Sequence, residues 1–386
     1  MLPNASFQNI DGNSLAKNLS IFIIRLNILM TRIINKQSLE TKNGCIDKTE
    51  KNNPTPFISI VMINYNGKSY LEETLPPILN LNYPNYEIIV ADNGSTDGSI
   101  NFLKSLKKIK LIESERIGEK NYACNIGILK SKGEYILLMD NDLLITDSNL
   151  LKNLLLEEKH LNNWGSLSLA FENRGEKLTN GYGGFFCLYY SYAKPNIRLD
   201  EISQMHGTTI GSPNGSGFFI KKELWDRLEG YDDHLPFGGD DDDLGLKLWL
   251  YGYSNYLYSK SIQIHIGMPE RTDTYKYSDK LQKKTYAHMY TIVKNFRLIN
   301  VFITLIIYII YTSAKAIKQS IKRRSIKPLT STVIGYFTFF KNIPTALKKR
   351  KKIQKNRIIK TDIFFKIRPK FIKKHSRINV FMQLFR

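Results

Sequence analysis

The sequence predicts an α/β protein: a mostly parallel sheet flanked by helices, followed by a basic helical C-terminal region. Three observations predict it. From Phe57 onward, short β-branched runs begin at intervals of about 25 residues, with helix-length amphipathic stretches between them. Polar and acidic residues collect directly after those runs, at the strand ends where parallel sheets bind ligands. Charge is segregated: Lys294 to Arg386 holds 24 Lys and Arg against one acid, Asp362, a net +23, whereas the preceding 293 residues sum to −2.

The elements follow in order. Residues 1–56 read as an N-terminal helix and linker, with a surface-lying helix over 14–35. Its apolar stretch is interrupted by Arg25 and lacks a small-residue cleavage site, so a signal peptide is not expected. The polar, proline-ended run 41–56 reads as linker. Strands are expected at "FISIVMI" (57–63), "YEIIVA" (86–91), "IKLI" (109–112) and "EYILLM" (134–139), with helices at 68–80, 97–108 and 121–132. Further strands are expected over 164–171, 183–190, 216–220, 255–259 and 261–266, and short helices over 221–228 and 244–252. In "SIQIHI", alternation puts Ile262, Ile264 and Ile266 on one face and turns His265, with Gln263, away from it. The main domain is bounded at 57–290 and the basic tail at 291–386.

Composition excludes several classes. With 42% hydrophobic and 24% charged residues, the chain is globular and not disordered. Cys45, Cys124 and Cys187 are odd in number and in no ligand-like spacing, so they read as free thiols without a disulfide framework or a zinc site. Neither a G-x-G-x-x-G fingerprint nor a Walker loop follows the first strand, which disfavours an ordinary dinucleotide or P-loop protein.

Two acidic motifs carry the chemistry. "MDND" sets Asp140 and Asp142 where the fourth strand leaves the sheet, a position suited to a hard cation such as Mg²⁺ or Mn²⁺. A polar strand end with an Asx turn would look the same. "FGGDDDDLGLKLW" gathers Asp240 to Asp243, although adjacent carboxylates repel unless something offsets the cost. Asp92, in "ADNGSTD", ends the second strand, where its carboxylate can accept from a base N–H or a ribose hydroxyl.

Taken together, "SIVMINYNGKSYLEETLPPIL", "YPNYEIIVADNGSTDGS", "GEYILLMDND", "GSGFFIKKELWDRLEGYDD" and "DDDDLGLKLWLYGY" resemble the family 2 inverting glycosyltransferases, which have a GT-A fold with a Rossmann-like sheet. The resemblance covers roughly residues 57 to 270 and is strongest to the rhamnosyltransferase-like branch. It implies that Asn64, Tyr65 and Asn66 line the nucleotide pocket, that Asp92 holds the base or ribose, and that Asn125 lies near the nucleotide. Cys124 stands where some relatives carry Arg, so the base stays open. Asp140 and Asp142 match the D-x-D, with Asp142 the principal metal ligand and His265 a further one. Aligning Leu244, Lys247, Gly252 and Tyr253 makes Asp241 the general base and Asp240 its acceptor-side neighbour. Asp243 is expected to cap the following helix, and Asp242 to lie in solvent.

The implied reaction is metal-assisted, inverting transfer of a sugar from a nucleotide-sugar donor to a hydroxyl of a glycan or lipid-linked acceptor. A polyprenyl-phosphate sugar synthase and a non-catalytic sugar-nucleotide binder are the alternatives. Apolar runs over 298–314 and 328–340, flanked by Lys and Arg, suit attachment to the cytoplasmic face of an anionic membrane, peripherally or with one short span. A nucleic-acid partner is disfavoured, since a tail for nucleic acid needs no such continuous apolar stretches.

Overall fold

The four expected parallel strands form one half of a nine-stranded sheet: β1 (Ile58–Asn64), β2 (Tyr86–Asp92), β3 (Ile109–Glu113) and β4 (Tyr135–Asp140). This computed structural model describes residues 55–179, 181–186, 196–236, 238–267 and 274–367, which belong to one compact unit, Pro54–Arg386. All seven residues of β1 are buried, as a strand covered on both faces requires. Helix α1 (Lys68–Leu79) buries Leu71, Thr74, Leu75 and Ile78, spaced as one helical stripe. Helices α2 (Ser99–Lys104) and α3 (Lys120–Leu129) complete the βα alternation. The expected helix at 14–35 and nearly all of the expected linker lie outside the described residues.

The second half of the sheet mixes directions. It comprises β5 (Leu143–Leu144), β6 (Trp164–Asn173), β9 (Thr209–Ile210), β10 (Gly217–Lys221) and β11 (Ser254–His265), in the overall order β3-β2-β1-β4-β10-β6-β11-β5 with β9 on β11. Strand β10 runs antiparallel to both β4 and β6, whereas β6 and β11 are parallel. Two short strands, β7 (Leu178–Thr179) and β8 (Ile197–Arg198), pair separately. Helix α4 (Leu150–Glu158), absent from the sequence reading, packs Leu150, Leu151 and Leu154 inward. Helices α5 (Leu199–Ser203) and α6 (Lys222–Arg227) are short.

Three local expectations change. The strand expected at 183–190 is reduced, in its described part, to a bridge between Gly184 and Ser212; residues 187–190 lie outside the described set. The two strands expected over 255–266 are one, with a register irregularity between Tyr258 and Gln263. The predicted facing holds only in part, since Ile266 is buried as expected but Gln263 is buried too. Gln263 is fully buried, its Oε1 accepting from the Thr146 N–H at 2.9 Å, while Ile262 and Ile264 are only half-buried. His265, two residues on, therefore faces packed structure and stacks on Phe171 with ring centroids 5.0 Å apart. Finally, α7 (Asp240–Leu250) starts four residues earlier than expected, so all four aspartates form its first turn and Gly239 is its N-cap.

The C-terminal region is three long helices, α8 (Thr274–Asn295), α9 (Leu298–Lys322) and α10 (Lys327–Lys355), the first of which crosses the expected boundary at 290. They attach to the rest of the unit through buried charge. Lys294 of α8 donates to Asp232 at 2.5 Å and to Asp243 at 2.8 Å. Lys349 of α10 also pairs with Asp232, and Asn295 donates to Asp243 at 2.7 Å. Lys247 lies 3.6 Å from Asp243 and donates to the carbonyls of Leu228 and Gly230. Burial pushes the Asp232 carboxyl upward, but Lys294 and Lys349 outweigh it and hold it below the usual carboxylate range. Asp243 is thus an internal ion-pair partner, and not the helix cap expected for it.

On the outer side, α9 exposes Ile299, Phe302, Ile306, Ile310, Ile317 and Ile321, and α10 exposes Ile334, Phe337, Phe340 and Leu347. By length and composition α9 could cross a membrane, yet 28% of its most apolar stretch is buried inside the protein.

Candidate active site

The site is assembled where β1, β2 and β4 end, where β10 begins, and where α7 and α8 face them. In register, Asn64 at the end of β1 sits beside Asp92 at the end of β2. Asn64 is fully buried: its Nδ2 donates to Asp92 Oδ2 at 2.7 Å, and its Oδ1 accepts from Asn141 at 2.6 Å. Asp92 Oδ1 accepts from the N–H groups of Gly94 and Ser95. These two residues form an interior brace. Tyr65 (56% exposed) and Asn66 are open to solvent, and Asn66, at φ +47°, accepts from the Thr96 N–H at 2.8 Å. Beside them Asn93, not singled out from sequence, keeps a buried Oδ1 without a hydrogen-bond partner. Asn125 is engaged elsewhere: it donates to the Tyr231 carbonyl and to Asp233, and accepts from the Tyr231 N–H, stapling α3 to the 231–233 loop.

At the end of β4, Asp140 pairs with Lys120 of α3 at 2.8 Å. Lys120 was missed by the sequence reading, because a lysine at the start of an amphipathic helix reads as a solvated residue. It is only 17% exposed in its side chain. Burial favours its neutral form, but Asp140, Asp240 and Asp241 outweigh burial and hold its pKa above the ordinary lysine value. Asp142 lies 3.3 Å from His265 Nε2. Burial and the charge of Asp140 raise the Asp142 pKa, while His265 and Lys120 oppose the rise.

A divalent cation can be tested against these donors. Asp142 Oδ1 is buried with no hydrogen-bond partner, and a Cβ at Gly267 would sit 2.2 Å from Asp142 Oδ2, so glycine there keeps a cradle open. One carboxylate and one imidazole fit Mg²⁺ or Mn²⁺ when oxygens of a bound diphosphate complete the shell. Among the described residues, no group of three His, Cys, Asp or Glu side chains forms a closed metal cradle.

Beside Lys120 and Asp140 opens a pocket. Its other walls are Asn214 to Ser216, Gly238 and Gly239, Asp241 and Asp242, and three residues of α8: Lys280, Lys284 and His288. Asp241 Oδ1 accepts from the Tyr231 hydroxyl at 2.9 Å. A Cβ on Gly215 would fall 2.2 Å from the Asp241 carboxylate, so only glycine leaves that carboxylate its place. Burial first, then the charge of Asp241, pushes the Tyr231 hydroxyl far up, so it remains a donor. Asp240 turns inward. Its Oδ1 accepts from the N–H groups of Gly238 and Gly239, and its Oδ2 is buried without a hydrogen-bond partner.

Asp242 requires a correction. It is not in solvent but 4% exposed, accepting from Ser212 Oγ at 3.2 Å and lying 3.8 Å from His288 Nε2. The cause is α8, whose packing over the first turn of α7 covers a side chain that would otherwise point outward. The structure thus brings Asp140 and Asp241 to one pocket with Lys120, and Asp142 to His265. Such a pocket can hold an anionic group and take a proton from a hydroxyl within it.

Comparison with known proteins sets this geometry in context. The model of the family described as glycosyl transferase family 2 matches residues 59–210. The putative glycosyltransferase EpsE of Bacillus subtilis (strain 168) is 32% identical over 212 residues, 53% of this chain and 70% of its own length. An uncharacterized glycosyltransferase of Haemophilus influenzae is 38% identical over 103 residues, 26% of this chain and 41% of its own length. The first three curated relatives are spanned over only 41%, 32% and 28% of their lengths. Among solved structures, GalNAc-T7 with UDP, GalNAc and Mn²⁺ superposes with a TM-score of 0.58 at 16% identity, covering 85% of this chain and 59% of that one. At that identity the likeness is one of fold, the mixed α/β GT-A arrangement with its mostly parallel sheet.

Proposed function

Because the chain belongs to glycosyl transferase family 2, we propose that it moves a sugar from a nucleotide-sugar donor to a hydroxyl of a glycan or lipid-linked acceptor, with inversion. The observation that carries this reading is the shared pocket: Asp241 faces the same cavity as Asp140, the first acid of the D-x-D. Asp241 is the base that takes the acceptor hydroxyl's proton, and the Tyr231 hydroxyl fixes its rotamer. Tyr65 and Asn66 offer the nucleotide an open rim, braced from beneath by Asn64 and Asp92, while Asn125 acts by fixing the neighbouring loop. Asp142 and His265, with Asp140 beside them, are the residues that would hold Mg²⁺ or Mn²⁺. Such a cation, when bound, supplies positive charge to the departing diphosphate. Asp240 orders the Gly238–Gly239 turn on the acceptor side.

The test is a panel of UDP-, GDP- and dTDP-sugars scored for hydrolysis with Mg²⁺ and with Mn²⁺. One donor class is expected to turn over, and chelation is expected to stop it. Failure of every donor to bind or react with any divalent ion overturns the reading.

The apolar stripes of α9 and α10, set among Lys and Arg, belong on the cytoplasmic face of an anionic membrane, where each basic residue adds about 1 kcal/mol. The full chain is expected to float with phosphatidylglycerol vesicles and not with phosphatidylcholine ones. Ile306→Glu with Phe337→Glu is expected to weaken flotation at least fivefold. Tight oligonucleotide binding with no flotation would overturn this assignment.

A further inference from the structure

Lys120 has no part in the transfer described above, yet it lines the pocket that Asp140 and Asp241 share. It is the first residue of α3, and its Nζ lies 2.8 Å from Asp140 Oδ1. The two side chains are only 17% and 22% exposed. An ion pair this enclosed is little screened by salt, so it acts on the charges around it. Asp142 is within its reach. Burial and the charge of Asp140 disfavour the ionised Asp142 carboxyl, whereas His265 and then Lys120 favour it.

These charges bear on how a divalent ion is held. The residues suited to it are Asp142 and His265 with Asp140 beside them, and Asp140 already carries an ammonium. A bare Mg²⁺ or Mn²⁺ would have to compete with Lys120 for Asp140 and would be repelled by it at close range. Asp142 and His265 alone leave most of the shell of such an ion unfilled. A nucleoside diphosphate changes both terms at once, since its oxygens fill the shell and its negative charge offsets the lysine. We infer that Lys120 withholds Asp140 from a bare divalent ion, so that the site retains the ion only together with the nucleoside diphosphate of the donor. Lys120 is thus a positioning residue that acts through Asp140 and makes metal and donor binding cooperative. This inference rests on the glycosyltransferase reading and adds a coupling between two ligands of the same site.

The test uses the full-length protein and reads binding, not turnover. Free Mn²⁺ is followed by its electron paramagnetic resonance signal, alone and with UDP, GDP or dTDP, after correction for Mn²⁺ held by the nucleotide in solution. In the parent protein one nucleotide is expected to tighten Mn²⁺ binding about twentyfold or more, and Mn²⁺ to tighten that nucleotide by the same factor. Lys120→Met is expected to tighten binding of Mn²⁺ alone by about fivefold or more, because Asp140 is released and a repelling charge is lost. The coupling factor should then fall to about a quarter of the parent value or less. Lys120→Arg keeps the charge and is expected to keep the parent pattern. Adding Asp142→Asn to Lys120→Met is expected to remove the gained affinity, and a gain that survives it overturns the inference. A lysine that only braces α3 against β4 would cost thermal stability on replacement and leave the affinity for Mn²⁺ alone unchanged or weaker; that result, too, overturns the inference. So does a parent protein that binds Mn²⁺ equally well with and without nucleotide. Failure of all three nucleotides to bind, with Mn²⁺ or without it, sinks the underlying glycosyltransferase reading and this inference with it.

Discussion

Asp241→Asn is expected to lower kcat by about 10²- to 10⁴-fold, the contribution of a general base, or about 3–5 kcal/mol of barrier. The change is nearly isosteric. The amide oxygen still accepts from the Tyr231 hydroxyl, and it fills the same space against Gly215, so the fold and the donor Kd should be preserved. What the amide cannot do is take a proton. Asp242→Asn makes the informative comparison, because Asp242 lies in the same turn but is held by Ser212 and flanked by His288. Steady-state kinetics of the two variants, with donor binding measured separately, checks the assignment. A kcat for Asp241→Asn within threefold of the parent protein would remove Asp241 from its role.

The second large effect concerns stability. Lys294→Met is expected to cost about 3–5 kcal/mol, because it leaves Asp232 and Asp243 buried with diminished countercharge. The methionine fills most of the volume, so the loss is electrostatic and not a cavity. Lys349 still reaches Asp232, and Asn295 and Lys247 still reach Asp243, which keeps the figure from rising further. At the scale of this unit the midpoint of thermal unfolding should fall by about 4–7 °C. Lys351→Met, on the exposed side of α10, is the control and should shift it by less than 2 °C, roughly the effect of an ordinary surface substitution. Equal shifts for the two variants would mean that the buried network adds nothing.

The parallel half of the fold was legible because its strands are continuous apolar runs and its helices are periodic, both signals local in sequence. The D-x-D and the aspartate run were legible as motifs, since they too are contiguous. Facing was harder. Alternation alone did not sort the end of β11, where Gln263 and Ile266 are both buried although they lie on opposite faces by count. Asp242 and Asp243 were misjudged for a related reason: their fate depends on α8, which arrives more than thirty residues later and brings Lys294 and His288 to them. Lys120 was invisible because only the fold sets it against Asp140, twenty residues on. Helix α4 was a plain omission, as its leucines carry the helical spacing in the sequence itself.

The antiparallel course of β10 has a consequence of its own. Its first residue, Gly217, pairs with Met139 in the last turn of pleat before the D-x-D, and the Asp140 N–H donates to the Ser216 carbonyl at 3.1 Å. The loop that leads into β10 is thereby threaded onto the rim where β4 ends, and two chain segments over seventy residues apart share one edge of the site. A slip of β10 by a single residue would turn every side chain on it to the opposite face. Phe218 and Phe219 would exchange sides of the sheet, and Asn214 and Gly215 would be carried out of alignment with Asp241. The glycine that leaves room for the Asp241 carboxylate is therefore held in place by the packing of two buried phenylalanines on the strand that follows it.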